Sequence, residues 1–145
     1  MKVAIAADHG GFELKEKIKK HLIEKGHKVE DFGAGRFDKE DDYPDFAAPA
    51  AKSVGEGAND AGILICSTGI GMSITANKVP GVRAALVLNE EFARTAKSHN
   101  NANIITLPGK GQINNNEALK IVDTFLGTEF DGGRHLRRVR KIESR

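Results

Sequence analysis

The feature that most constrains the fold is a regular alternation of short apolar runs with longer amphipathic segments. The apolar runs fall at residues 2–7, 61–66, 82–88 and 103–107, with a weaker one at 28–32. Runs of this length are typical of buried parallel strands, and each intervening segment is long enough for a crossover helix. Five repeats predict an α/β fold with a five-stranded, mostly parallel sheet and helices on both faces.

The first predicted helix covers about residues 11–25, where Leu14, Ile18 and Leu22 recur four residues apart. Three lysines of this segment are expected to face water, namely Lys15, Lys19 and Lys20. Four further helices are predicted: from Pro44 toward Gly55, from Met72 to Pro80, from Asn89 to about Ser98, and around Ala118 to Leu126. A basic helix is expected near the C-terminus.

Length and composition exclude several classes of protein. A chain of 145 residues predicts one domain over residues 1–145, and 39% apolar with 29% charged residues is ordinary for a globular protein. No apolar run approaches the roughly 20 residues that span a bilayer, so no membrane association is expected. Cys66 is the only cysteine. An internal disulfide is therefore impossible, and a cytoplasmic location is expected.

The charge is unevenly distributed along the chain. The net charge is +2, yet residues 134–145 carry six of the 22 basic and one of the 20 acidic side chains. Within this basic C-terminal segment, 131–145, Arg134 and Arg138 are four apart and share one helix face. Such a run is usually a solvated face. Nucleic-acid binding is disfavoured because only 6% of residues are aromatic and the rest of the chain is acidic. A phosphate clamp fits better.

Ligands of open parallel sheets bind beyond the carboxyl ends of the strands, where three loops are candidates. They are residues 8–11, residues 66–71 and the segment after Asn89. The glycines of loop 66–71 allow backbone N–H groups to converge on an anion before a helix. The loop lacks the Gly-Lys-Ser/Thr ending of a P-loop, and Ile74 stands where a dinucleotide motif needs its third glycine. It predicts an anion site of unspecified kind.

Two residues of this loop allow two interpretations each. Cys66 is either a small buried hydrophobic residue, the commoner case, or a reactive thiolate favoured by the neighbouring N–H groups. Its position at a strand end favours reactivity. The hydroxyl of Thr68 either caps the following helix or donates to a substrate oxygen.

His99 follows the helix that leaves the fourth strand, so it is expected at the amino-terminal edge of the sheet, away from Cys66. Either it caps its own helix, where a cation is favoured, or it completes a site on a neighbouring chain. The second interpretation implies a dimer with shared sites. The five histidines show no metal-ligand spacing, so no metal site is predicted.

The chain closely resembles the type B ribose-5-phosphate isomerases, in the superfamily that includes galactose-6-phosphate and allose-6-phosphate isomerases. The resemblance covers nearly the whole chain, in the segments AADHGGFELK (6–15), DYPDFA (42–47), GILICSTGIGMSITANKVPGVRAAL (62–86), SHNNAN (98–103) and GGRHLRRV (132–139). It implies a Rossmann-like three-layer sandwich. It also implies interconversion of ribose 5-phosphate and ribulose 5-phosphate in the pentose phosphate pathway, without metal or cofactor, by a homodimer or dimer of dimers.

The resemblance also implies a role for individual residues. Cys66 is expected to move the proton between C2 and C1, His99 to assist ring opening, and Asp8 to hold sugar hydroxyls. The remaining implied substrate ligands are the loop residues Ser67, Thr68, Gly69, Ile70 and Gly71, which would stabilise the enediolate, Asn100 for a hydroxyl, and His9, Lys110, Arg134 and Arg138 for the phosphate. Thr68 is expected to take part in catalysis.

Two positions depart from the family pattern. Ser67 replaces a common glycine, which would add strain of about 1 kcal/mol if the loop needed positive φ there. Lys110 replaces an arginine, exchanging a bidentate fork for a point charge. Two alternative functions stay open: an isomerase of a six-carbon substrate such as allose 6-phosphate, and a non-catalytic phosphate- or nucleotide-binding module.

Overall fold

The computed structural model describes residues 1–144 and contains five strands and six helices. The strands are β1 (Lys2–Ala7), β2 (Lys28–Asp31), β3 (Ala61–Cys66), β4 (Ala84–Leu86) and β5 (Ile104–Pro108). The helices are α1 (Phe12–Glu24), α2 (Tyr43–Gly55), α3 (Ile70–Ala76), α4 (Glu90–Ser98), α5 (Asn115–Gly127) and α6 (Arg134–Glu143). The predicted alternation and the basic C-terminal helix are confirmed.

All the strands lie in one sheet in the order β2-β1-β3-β5-β4, and every pair is parallel. The fourth strand is shorter than predicted, three residues in place of the run 82–88. It is the last strand on one side of the sheet, and within residues 1–144 its one pairing partner is β5, so its apolar residues are only partly covered. Helix α3 begins at Ile70, two residues before the predicted start, because the left-handed backbone of Gly69 turns the chain directly into the helix.

Helices cover both faces of the sheet, as predicted. One face packs against α1, α4 and α5, in a core that includes Ile5, Ile18, Ile63 and Phe125. The other face packs against α2 and α3, and its core contains many alanines together with Leu64 and Met72. Small side chains allow these two helices to lie close to the strands. Among residues 1–144, no helix combines the length and the apolar character needed to cross a bilayer.

The prediction that Lys15 faces water is wrong. Its side chain is fully buried beneath α1, where Nζ lies 2.7 and 2.9 Å from the carboxylate oxygens of Asp31 and 3.0 Å from Glu16. Lys19 also donates to Asp31, at 2.8 Å. Asp31 is the last residue of β2, so this ion pair fixes the start of α1 against the end of a neighbouring strand. A buried charge needs such a partner, and the helical periodicity of α1 does not reveal it.

Replacing Asp31 with asparagine is expected to lower the free energy of unfolding by about 3 kcal/mol, because it leaves the buried Lys15 ammonium without its main counter-charge. Burial acts to raise the pKa of Asp31, but hydrogen bonds from Lys15, Lys19 and Gly33 outweigh it and hold this pKa below its usual 3.8. A lowered carboxyl pKa stabilises the fold above the unfolded value, and that stability is lost as pH falls through the folded value.

Urea unfolding at pH 7 and at a series of acidic pH values measures both effects. The variant is expected to be less stable at pH 7 and to lose less stability than the wild type below about pH 4. Glu24→Gln is the matched control, since Glu24 lies 4.0 Å from Lys20 with both side chains exposed. Equal stability of Asp31→Asn and this control would contradict the assignment.

Candidate active site

The first loop of the site follows β1, and its carboxylate is buried. Asp8 is only 5% exposed, and its Oδ1 accepts the N–H of Gly10 at 2.8 Å. Burial raises the pKa of Asp8, while the Gly10 bond and the nearby charge of His9 act in the opposite direction. The carboxyl group is therefore held at the carboxyl edge of the sheet, where its remaining oxygen is suited to accept a substrate hydroxyl.

His9 is held by a residue from another loop. Asp41, which precedes α2, accepts both the backbone N–H of His9 at 3.0 Å and its ring Nδ1 at 2.7 Å through the same oxygen, Oδ1. The hydrogen bond to Asp41 raises the pKa of His9, although burial and the charge of Lys110 act to lower it. The Nδ1–Asp41 bond leaves Nε2 as the nitrogen available for an anionic ligand.

Cys66 is the last residue of β3, and its side chain is almost completely buried. Gly69 donates its backbone N–H to Sγ at 3.2 Å. A donor aimed at the sulfur stabilises the negative charge of a thiolate, so the loop supplies one of the interactions that reactive cysteines need. Gly69 has φ +79°, and a Cβ there would lie 2.7 Å from Leu86, so only glycine fits this turn.

Thr68 is exposed, and its Oγ1 accepts the N–H of Ile70 at 3.2 Å. Two N–H groups of the predicted anion loop, those of Gly69 and Ile70, are therefore already bonded within the loop. An enediolate oxygen must bind other donors of the loop or displace these bonds. Ser67 is not strained: among residues 1–144, Asn101 is the single non-glycine residue with positive φ.

Three loops pack backbone to backbone around Cys66. A Cβ on Gly10 would lie 2.3 Å from the Ser67 hydroxyl oxygen, and one on Gly109 would lie 2.3 Å from the Gly10 carbonyl. The N–H of Gly109 donates to the Cys66 carbonyl at 2.8 Å, and Gln112 donates to the Ser67 carbonyl at 3.2 Å. Lys110, exposed on the third loop, is close enough to His9 to affect its pKa. These loops form the first half of the candidate site.

The second half lies at the C-terminal end of α4. His99 caps that helix and is exposed, and its ring stacks on His135 of α6, with centroids 4.3 Å apart and planes within 10°. Asp131 donates its backbone N–H to the carbonyl of Ser98 at 2.9 Å, which joins the segment before α6 to α4. The other predicted ligands on this side are also exposed, namely Asn100, Arg134 and Arg138.

These two halves lie at opposite ends of the strands. The first half lies beyond their carboxyl ends and the second beyond their amino ends. The turn after His99 leads into β5, and the carbonyl of Asn103 accepts the N–H of Gly62 near the start of β3. Cys66 lies four residues farther along the same strand, about 13 Å away at the rise of a parallel strand. The structure thus brings together Asp8, His9, Cys66, Thr68 and Lys110, and separates them from His99 and the arginines within one chain.

Among the described residues 1–144, two groups of side chains have the atom types of metal ligands, with the ligand atoms of each group within 4.8 Å of one another. They are Asp8, His9 and Asp41, and His99, Asp131 and His135. In the first group, Nδ1 of His9 is already hydrogen-bonded to the carboxylate of Asp41. In the second, the imidazole planes are stacked, so their in-plane nitrogen lone pairs do not converge on one point. The prediction that no metal is needed stays a prediction.

Comparison with known proteins decides the family. The sequence model described as Ribose/Galactose Isomerase matches residues 3–142. The chain belongs to the ribose/galactose isomerase family. A ribose 5-phosphate isomerase structure from Thermotoga maritima is 54% identical, with TM-score 0.95 over 99% of this chain and 98% of that one. The Ribose-5-phosphate isomerase B of Escherichia coli is 41% identical over 141 residues, 97% of this chain and 93% of that protein.

A further member of the family has been crystallised with a ligand. The ribose-5-phosphate isomerase B of Mycoplasma genitalium with bound ribulose-5-phosphate is 47% identical, with TM-score 0.95 over 99% of this chain and 94% of that chain. The family resemblance predicted from the sequence is confirmed, and so is the Rossmann-like architecture.

Sequence reasoning missed two residues that shape the site. Asp41 lies in the segment between β2 and α2, to which the sequence analysis assigns no role. Because β2 pairs with β1, this segment lies close to His9. Tyr43 packs its ring against Gly71, where a Cβ would lie 2.4 Å from the ring. The sequence feature that could have indicated both residues is the acidic and aromatic end of the loop between β2 and α2. The end of β2 and the start of α2 both lie at the carboxyl ends of the strands.

Proposed function

We propose that this protein is an aldose–ketose isomerase that interconverts D-ribose 5-phosphate and D-ribulose 5-phosphate. The observation that carries the proposal is the buried thiol of Cys66 at the end of β3, on loops at the carboxyl ends of the strands that also carry Asp8, Thr68 and His9. Family membership over residues 3–142 supports it. So does the bound ribulose-5-phosphate in the relative from Mycoplasma genitalium.

The chemistry needs a base next to the C2 proton of the open-chain sugar. We assign this role to the Cys66 thiolate, which takes the proton from C2 and returns it to C1. The proton of the C2 hydroxyl passes to the C1 oxygen, so that C2 becomes the carbonyl and no atom is gained or lost. The transfer creates an enediolate whose oxygen needs fixed donors. The N–H groups of loop 67–71 and the Thr68 hydroxyl are the groups nearest to Cys66 in the chain, and Asp8 is the acceptor for a sugar hydroxyl.

The second half of the site requires another chain. We assign ring opening to His99, a sugar hydroxyl to Asn100, and the phosphate to Arg134 and Arg138 together with His9 and Lys110. Because His99 and Cys66 occupy opposite sheet edges, one chain cannot present both to one pentose. The complete site is therefore proposed to form between two copies of this chain, as a homodimer or a dimer of dimers.

An apolar groove supports self-association. It has a volume of about 390 Å³ and lies along the edge strand β4, between α4 and the end of α6. Leu86, Phe92 and Ile142 line it and are 36%, 58% and 51% exposed. An edge strand flanked by exposed apolar side chains is a surface that proteins usually cover. Asn100 is one of the residues that line the groove, so a second copy seated there would lie next to the His99 half of the site.

Steady-state kinetics with EDTA present tests the function. Ribose 5-phosphate is expected to be converted to ribulose 5-phosphate with a higher kcat/KM than allose 6-phosphate. The reverse preference would favour the six-carbon alternative, and binding of sugar phosphates without turnover would favour a non-catalytic module. On the same proposal the enzyme acts in the non-oxidative pentose phosphate pathway and in the cytoplasm, where phosphorylated sugars are retained.

A further inference from the structure

We propose that Asp41 is a positioning residue for the substrate phosphate: it holds the His9 imidazole with Nε2 turned to the ligand. The inference rests on the proposed function, which makes His9 a phosphate ligand. It concerns a residue for which the family resemblance gave no role, on a loop 32 positions away in sequence.

The geometry fixes both the backbone and the ring of His9. A single oxygen of Asp41, Oδ1, accepts the main-chain N–H at 3.0 Å and Nδ1 at 2.7 Å. The ring is also in edge contact with Phe37, with centroids 6.3 Å apart. With Nδ1 donating to Asp41 and one ring edge covered, the orientation of the imidazole is defined. In the imidazolium form Nε2 also carries a proton, which a phosphate oxygen can accept.

The second oxygen of Asp41 argues that the charge of this residue matters. The side chain is 10% exposed, and its buried Oδ2 has no hydrogen-bond partner among residues 1–144. Anchoring the loop needs only the one acceptor that Oδ1 supplies, and a neutral asparagine would supply it equally well. A buried carboxylate with one unpartnered oxygen is costly, and the group that compensates it here is the adjacent imidazolium.

The charged groups that face His9 come from three loops. Asp41 and Asp8 favour the imidazolium, whereas Lys110 opposes it. The hydrogen bond to Asp41 has the largest effect and raises the pKa of His9 above 6.5. A raised pKa keeps the cation present to higher pH, so Asp41 extends the range in which His9 binds a phosphate dianion.

Asp41→Asn tests the proposal, because asparagine keeps the acceptor and removes the charge. We expect KM for ribose 5-phosphate at pH 8 to rise about tenfold, with kcat within about twofold, and inhibition by inorganic phosphate to weaken by the same factor. The difference should shrink toward pH 6, where His9 is protonated in both proteins. Asp38→Asn, on the same loop and more exposed, is the matched control and should leave KM unchanged.

A double-mutant cycle separates positioning from a structural role. If Asp41 acts through His9, then Asp41→Asn adds no further increase in KM to a His9→Gln chain. Additive losses, or a lower melting temperature with an unchanged pH profile of KM, would overturn the proposal. NMR titration of His9 in the wild-type protein provides a measurement that needs no variant: a pKa at or below 6.5 would also overturn it.

Different results would contradict the proposed function and the role of Asp41. If the wild-type protein does not turn over ribose 5-phosphate, the proposed function is wrong. If the wild type is active and Asp41→Asn shows unchanged KM and phosphate inhibition at every pH, only the role of Asp41 is wrong.

Discussion

Replacing Cys66 with alanine is expected to reduce kcat for ribose 5-phosphate by about 10³-fold or more, with a small change in KM. Removing a general base typically lowers the rate by a factor of about 10²–10⁴. Within loop 66–71, no other side chain can replace the thiolate as a base. The phosphate ligands are untouched, so binding should persist. The measurement is the steady-state rate of ribulose 5-phosphate formation, with inhibition by inorganic phosphate as the test of binding.

The control for this variant concerns packing. Cys66 is 5% exposed and lies in the core between the sheet and α3, so its truncation leaves a small cavity that costs about 1 kcal/mol. The variant should therefore remain folded at 25 °C, as checked by circular dichroism. Met72→Leu, in the same core, changes packing without touching the thiol and should retain most of the activity. Full turnover by folded Cys66→Ala would refute the assigned mechanism.

Mixed dimers of two inactive chains are expected to recover activity. When Cys66→Ala and His99→Ala chains are co-expressed with different tags, the purified heterodimer contains one site with both residues intact and one site with neither. Its activity per dimer should be about half that of the wild type, because the sites of a symmetric dimer are equivalent. Each variant alone should be far below this level.

A heterodimer that carries both substitutions on one chain is the matched control. When the doubly substituted chain pairs with a wild-type chain, one site lacks Cys66 and the other lacks His99. Neither site is complete, so activity should stay low. If residues of one chain formed each site, this control would retain half of the activity and the first heterodimer would have none. The two heterodimers therefore give opposite results under the two arrangements.

Much of the fold followed from local patterns. The apolar runs at residues 2–7 and 61–66 predicted β1 and β3, since strands buried on both faces are continuously apolar. The glycines of loop 66–71 indicated a turn before the next helix, and Gly69 has a left-handed backbone there. The opposite placement of Cys66 and His99 was also deducible, because a helix that leaves one sheet edge must end at the other.

The interactions that the sequence did not reveal depend on long-range pairing. Lys15 sits one position from the apolar stripe of α1, and nothing local shows that Asp31 will accept its charge. Asp41 reaches His9 only because β2 pairs with β1. The strand order, with β5 inserted between β3 and β4, also reflects tertiary packing, and it left β4 as a short edge strand. Such features require knowledge of which elements are neighbours.

The most direct test of the shared site is a crystal structure of this protein with ribulose 5-phosphate bound. We expect the sugar carbons C1 and C2 to lie beside Sγ of Cys66 from one chain. His99, Arg134 and Arg138 of a second copy should contact the same ligand. A ligand whose contacts all come from a single chain would contradict the account.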